Sequence, residues 1–317
     1  MLLLSSLAAA ISIASAAPPA GVQGIEVQAP GPKGALSGTL LQVRQPRAPI
    51  VLIIPGSGPT DRNGNSPIGV AGSSYRLLAE GLAARGVSSV RIDKRGMFGS
   101  AAAGDANAVL IPDYVRDVHA WVGAVRRRTN SRCVWLLGHS EGALVALASA
   151  QSPAGICGLI LAAGPGRRVS EGLRDQLRAS PGSGLFLEQA LAAVGRLEAG
   201  KRVDPAGIHE AIAPLFAPQV QDFLISLFSY DPAELIARVR LPVLILQGTA
   251  DIQIGEPDAR RLAAANPAAR LVLLPGVSHV LKRVAGSDRA SNVATYTDPN
   301  LPLAPGVAEA IAGFVRR

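Results

Sequence analysis

One five-residue turn constrains this chain more than any other feature. The apolar run at residues 133–137 leads directly into Gly138-His139-Ser140-Glu141-Gly142, and an alanine-rich stretch over 143–150 leads out. A short apolar run ending in glycine reads as a strand buried on both faces. The stretch after it reads as a helix, because alanine and leucine dominate it. A strand that turns at once into a helix, with a serine between glycines, is the setting of a nucleophile elbow. The glycines permit the tight backbone and lift Ser140 above the sheet edge. The helix start beneath it offers backbone N–H groups to a developing negative charge.

The surrounding pattern agrees with that turn. Residues 50–54 form a continuous apolar run that ends in Pro55-Gly56-Ser57-Gly58, and further strands are predicted at 87–93, 156–163, 243–247 and 270–274. Helical spacing lies between or after them at 73–85, 112–128, 256–265 and 304–315. Strands alternating with helices predict an α/β fold, a mostly parallel central sheet covered on both faces. Alternating apolar residues over 24–45, broken by Pro30-Gly31-Pro32-Lys33-Gly34, predict an antiparallel pair ahead of it. The rhythm stops over 164–240, where helical pieces are separated by proline and glycine. This segment is expected to be a helical cap inserted between two parts of the core, 18–163 and 241–317.

A serine hydroxyl is a weak nucleophile without a base to take its proton. Of the four histidines, His119 falls in a helix, His139 lies inside the elbow and His209 in the expected cap. His139 is expected to turn away from the serine and pack beside it. Only His279 sits in a loop after a late strand, on the rim that Ser140 shares. His279 is therefore the expected general base. Its orienting acid is Asp251, just after the strand at 243–247. The competitors Asp258 and Asp231 fall in or beside predicted helices. Serine, aspartate and histidine then follow one another in the chain order of an elbow hydrolase. An oxyanion needs two donors. The expected pair is the backbone N–H of Glu141 and that of Ser57, with Gly56 and Gly58 as alternatives to Ser57.

Composition narrows the rest. With 48% hydrophobic residues and 17% charged, the chain is not disordered. The formal net charge is +8, but the arginines and lysines come in scattered twos and threes and aromatics are only 4% of the chain. No stacking platform accompanies the charge, so nucleic acid is not an expected partner. Residues 1–17 carry no charge, and their apolar run is too short to span a membrane. Ala14-Ser15-Ala16 has the small-residue pattern of a cleavage site, and a signal peptide with export to the periplasm or beyond is expected. Cys133 and Cys157 have no metal-ligand spacing. Each stands four residues before a leucine, Leu137 or Leu161, so paired in-register strands would bring the thiols together. In an oxidising compartment they would bond; otherwise both are small core residues.

Pro55-Gly56-Ser57-Gly58-Pro59-Thr60-Asp61-Arg62-Asn63-Gly64-Asn65, Asp93-Lys94-Arg95-Gly96, the elbow itself and His279-Val280-Leu281-Lys282 together resemble bacterial α/β-hydrolases of the carboxylesterase type, near the serine aminopeptidase-like branch. The resemblance runs from about residue 25 to the C-terminus. It implies an α/β-hydrolase fold and an esterase acting on small or medium acyl esters without a cofactor. An aminopeptidase or amidase is the main alternative, with Glu171, Glu188 or Glu210 of the cap as anion for a substrate amine. An acyltransferase with the same triad is another, and a non-catalytic binding module ranks last. Phe98 stands where a small residue is expected, so it is expected to reshape the pocket wall.

Overall fold

The computed structural model describes residues 24–179, 184 and 186–316. The expected signal peptide lies outside the described residues. Two antiparallel strands, β1 (Gly24–Ala29) and β2 (Leu36–Leu41), open the sheet. Six more follow: β3 (Ile50–Ile54), β4 (Ser88–Ile92), β5 (Val134–His139), β6 (Ile156–Ala162), β7 (Val243–Gly248) and β8 (Arg270–Leu274). Their spatial order is β1-β2-β4-β3-β5-β6-β7-β8, with β2 antiparallel to both neighbours and all later pairs parallel.

Why this sheet is covered on both faces can be read from β3. All five of its residues are buried. Leu52 and Ile54 join one core with Leu136, Trp121 and Leu144, while Val51 and Ile53 join another with Leu137, Leu78 and Ile311. Successive side chains point to opposite faces, so a strand covered on both sides must be apolar throughout. Helices α2 (Ile111–Thr129) and α3 (Glu141–Ser149) cover the first face. Helix α1 (Ser74–Ala83) and the C-terminal helix, Val307–Val315, cover the second.

The order of strands also fixes where a site can form. The chain steps from β3 outward to β4, then back past β3 to β5. Loops leaving β3 and β5 therefore emerge side by side at the same rim, with Ile54 opposite Gly138. Such a reversal point opens a crevice at the carboxyl ends of parallel strands.

Between β6 and β7 the described residues form helices α4 (Val169–Ala179), α5 (Leu187–Glu198), α6 (Pro218–Phe228) and α7 (Pro232–Arg238), with no strand among them. Val194, Leu197, Phe216 and Phe228 are buried and continue the first core. Helix α8 (Glu256–Ala265) links β7 to β8. Helix α9 (Arg289–Thr297) was not evident in the sequence pattern; it precedes the C-terminal helix, α10.

The register of β5 and β6 differs from the one the cysteine spacing suggests. Leu137 pairs with Ile160 rather than Leu161, and the ladder shifts between Val134 and Trp135. Val134 faces Ile156 and Trp135 faces Gly158, so Cys157 is the extra residue of a bulge. A Cβ at Gly158 would lie 2.3 Å from the Trp135 ring, which is why glycine stands there. The bulge does not separate the thiols: Cys133 and Cys157 are disulfide-bonded across 24 positions. Titration of the unfolded, unreduced protein should find no free thiol. Replacing both cysteines by alanine should lower stability by about 3.5 kcal/mol, the chain-entropy value for a loop of this length, read from urea unfolding.

Candidate active site

Ser140 stands between β5 and α3 at φ 55° and ψ −123°. A non-glycine residue held there costs on the order of 1–3 kcal/mol, and the surroundings must impose it. Two glycines make room. A Cβ at Gly138 would lie 2.1 Å from the Gly142 carbonyl, and one at Gly142 would lie 2.4 Å from that of Ile54. The Ser140 amide donates to the Ala162 carbonyl at 3.0 Å and anchors the turn to β6.

His279 sits at the tip of a tight hairpin closed by the Val277–Arg283 bridge and by Ser278 N–H donating to the Lys282 carbonyl at 2.8 Å. Its Nδ1 lies 2.8 Å from Asp251 Oδ2, and both side chains are buried. Asp251 follows β7. Its Oδ1 accepts the amides of Gln253 and Ile254 at 2.8 and 3.0 Å, and its Oδ2 also receives Gln247 Nε2 at 3.2 Å. Burial pushes this carboxyl up, but His279 and the two amides outweigh it and hold the group below the usual aspartate value. An ionised carboxylate only accepts. Nδ1 therefore carries the ring proton, and Nε2 is left with its lone pair. Ser140 and His279 line the same cleft, about 790 Å³ in volume.

His139 lines the same cleft, its ring centroid 4.8 Å from that of His279, and it does more than pack beside the serine. Its Nε2 lies 2.8 Å from the His279 carbonyl and its Nδ1 lies 2.8 Å from the Tyr75 hydroxyl. A carbonyl cannot donate, so Nε2 holds the proton, Nδ1 accepts, and Tyr75 O–H donates to it. The Tyr75 oxygen in turn accepts the Gly56 amide at 3.0 Å. One chain of hydrogen bonds thus runs from the loop after β3 to the backbone of His279. No periodicity marks Tyr75 for this; it reads as an ordinary apolar helix position.

Burial, reinforced by the nearby His279, lowers His139 from 6.5 to about 3. The unfolded chain takes a proton near the ordinary value, whereas the folded chain stays neutral until far lower pH. Stability should therefore fall as pH drops between about 6.5 and 4.5, with this group contributing about 1.4 kcal/mol per pH unit. Urea unfolding across that range should show the slope shrink by roughly this much in His139→Gln.

The long loop from Pro55 to Asn65 is tied down residue by residue. Asp61 Oδ1 accepts the amides of Asn63 and Asn65, both at 2.8 Å. Arg62 pairs with Asp93 through its backbone amide and Nε, both at 2.8 Å. The Asn63 carbonyl accepts the Tyr75 amide at 3.0 Å in the first turn of α1. The Gly56 amide is committed to Tyr75, while that of Ser57 has no acceptor among the described residues.

Asp258 accepts the Gly166 amide and Asp231 caps α7, so neither meets His279. His119 and His209 lie outside the cleft, as do Glu171, Glu188 and Glu210. Asp175 does line it, but is paired with Arg167 at 2.6 Å. Phe98 is exposed on a 3-10 turn away from the cleft, so it does not form a pocket wall. The sequence pattern gave no sign of the wall supplied by α9, where Arg289, Val293 and Tyr296 face the cleft. Among the described residues no group of histidine, cysteine and carboxylate side chains is arranged to hold a metal ion. No helix among them is long and apolar enough to cross a membrane.

Comparison with known proteins agrees with this architecture. Residues 50–289 match the model of the alpha/beta hydrolase family, and the chain belongs to that family. It is similar to esterase EstD of Thermotoga maritima, 28% identical over 213 residues, which are 66% of this chain and 48% of the relative. The chain thus spans about half the length of that relative. In three dimensions it resembles the Pyrococcus furiosus esterase Pf2001, with 15% identity, 93% of each chain covered and a TM-score of 0.58. It is also similar to Est1E of Butyrivibrio proteoclasticus, solved with ferulic acid bound, with 16% identity over 92% of this chain and 100% of that one and a TM-score of 0.58. At such identities the two structures show the fold, an alpha/beta hydrolase.

Proposed function

We propose that this chain is a serine carboxylesterase that cleaves small to medium acyl esters through an acyl-enzyme on Ser140. The observation that carries the reading is Ser140, strained at its elbow, sharing one cleft with a His279 whose ring is fixed by Asp251. His279 Nε2 takes the serine proton as Oγ attacks the ester carbonyl, and Asp251 holds the tautomer and the imidazolium that forms. The backbone amides of Glu141 and Ser57 receive the oxyanion. His279 then protonates the leaving alcohol, and a water activated by the same base releases the acid.

The cleft's rim suits an apolar acyl group, since Ile68, Ile252 and Val293 are exposed there. It does not suit a free amine, because Arg167 and Arg289 face it and its carboxylate Asp175 is already paired. The names of esterase EstD and esterase Pf2001 support the same reading. We further read residues 164–240 as the cap over the site. Export of the protein is supported by the Cys133–Cys157 bond, since such bonds persist in oxidising compartments.

The test is hydrolysis of p-nitrophenyl esters, acetate through decanoate, beside aminoacyl p-nitroanilides. Ester turnover with a chain-length optimum is expected. Turnover of the anilides alone would replace the esterase by an aminopeptidase. If the Ser57 amide is a donor, Ser57→Ala should keep most of kcat, whereas Ser57→Pro should lose on the order of 10²-fold. Equal loss in both would remove Ser57 from the oxyanion site.

A further inference from the structure

A lysine and a glutamate are buried together behind this site, and the proposed reaction uses neither side chain. Lys94 follows β4 and Glu141 follows Ser140; their side chains are 6% and 4% exposed, and Nζ lies 3.8 Å from Oε1. Neither side chain lines the cleft, so neither side chain touches a substrate. Two buried charges are costly unless they are paired and otherwise engaged. Lys94 has one such engagement: Nζ donates to the Gly56 carbonyl at 2.8 Å.

The Gly56 carbonyl and the Ser57 amide belong to one peptide group. All peptides among the described residues are trans, so the N–H points opposite to the C=O. A cation that holds the carbonyl from behind therefore fixes where the Ser57 N–H points. It also draws charge along the amide and makes that N–H a stronger donor. Gly56 is held at its other end by Tyr75, and a Cβ added to it would lie 3.1 Å from Ser140 Cβ. The tethered peptide thus stands next to the nucleophile. Glu141, the counter-ion, carries the second proposed donor on its own backbone.

We propose that the buried Lys94–Glu141 pair positions the oxyanion site, joining the peptide that presents the Ser57 amide to the residue that presents the other. The proposal rests on the serine esterase reading. Both are positioning residues. Burial lowers the Lys94 ammonium below the usual lysine value, and Glu141 opposes that shift. The ring of Tyr114 lies beneath Nζ, 5.5 Å to its centroid.

The experiment compares wild type, Ser140→Ala, Lys94→Met and the double variant Lys94→Met/Glu141→Gln. Lys94→Met alone leaves an unpaired buried carboxylate and is at risk of unfolding. The double variant removes both charges at similar volume and avoids that penalty. Two readouts are taken on folded protein: kcat and KM for p-nitrophenyl butyrate, and affinity for an aryl trifluoromethyl ketone. Ser140 Oγ bonds to the ketone carbon, the serine proton passes to His279, and the carbonyl oxygen becomes a bound oxyanion.

In the double variant kcat should fall by about 10²-fold with KM within about threefold, and ketone affinity should fall in step with kcat. A folded double variant with wild-type kcat and ketone affinity overturns the proposal, because the pair would then serve stability alone. Full ester turnover in Ser140→Ala instead brings down the esterase reading on which the proposal stands.

Discussion

Ser140→Ala is expected to lower ester turnover by on the order of 10⁶ in kcat, the scale of removing a triad nucleophile. The fold should be unaffected. Alanine keeps the Cβ, so it inherits the same backbone strain at φ 55° and the same neighbours. Only Oγ is lost, and with it the atom proposed to bond to the acyl carbon. What turnover survives would come from the oxyanion donors and from binding. The measurement is p-nitrophenyl butyrate hydrolysis, with thermal unfolding of the same samples and labelling by a fluorophosphonate probe. Loss of activity and labelling at an unchanged midpoint is the expected result. Retained turnover would mean that another group does the chemistry.

The second large effect is expected at Asp251→Asn, about 10⁴ in kcat near neutral pH, the scale known for such a change in a serine protease triad. The reason lies in how the two carboxylate oxygens are used. Oδ1 accepts two backbone amides, while Oδ2 faces His279 Nδ1 and Gln247 Nε2. An asparagine must keep its oxygen toward the amides, which places its NH2 opposite Nδ1. A donor then faces a donor, and the imidazole turns to the tautomer with its proton on Nε2. That ring cannot take the serine proton. Steady-state kinetics over pH should show the loss at neutral pH with partial recovery at high pH. A loss below tenfold would remove Asp251 from the orienting role. Folding carries the matching sign. Because the folded carboxyl is held low, its contribution to stability is complete above the ordinary aspartate range. That contribution is lost as pH falls through the lower, folded value.

Much of this was legible in the sequence for a physical reason: buried strands and helices impose periods, and a nucleophile elbow imposes its glycines. The eight-stranded sheet, the elbow at Ser140, and the pairing of His279 with Asp251 all follow from local pattern and chain order. Five features did not. Tyr75, His139 and Lys94 act through single hydrogen bonds across 64, 140 and 38 positions, and such contacts leave no repeat in the chain. Helix α9 is short and weakly amphipathic in sequence, because its buried positions, Asn292 and Thr295, are polar. The bulge at Cys157 depends on where the Trp135 ring settles, which spacing alone does not reveal.

The register of the first strands has a practical consequence. Gly24 pairs with Leu41, Leu41 with Ser89, and Ser89 with Val51. The amino end of β1 therefore lies with the starts of the parallel strands, across the sheet from the rim that carries Ser140. An affinity handle, a fused carrier or a solid support joined ahead of residue 24 attaches to the underside of the molecule. Immobilised that way, the protein turns the mouth of its cleft toward the bulk liquid, and a wide, particulate or polymeric substrate meets no obstruction from the anchor.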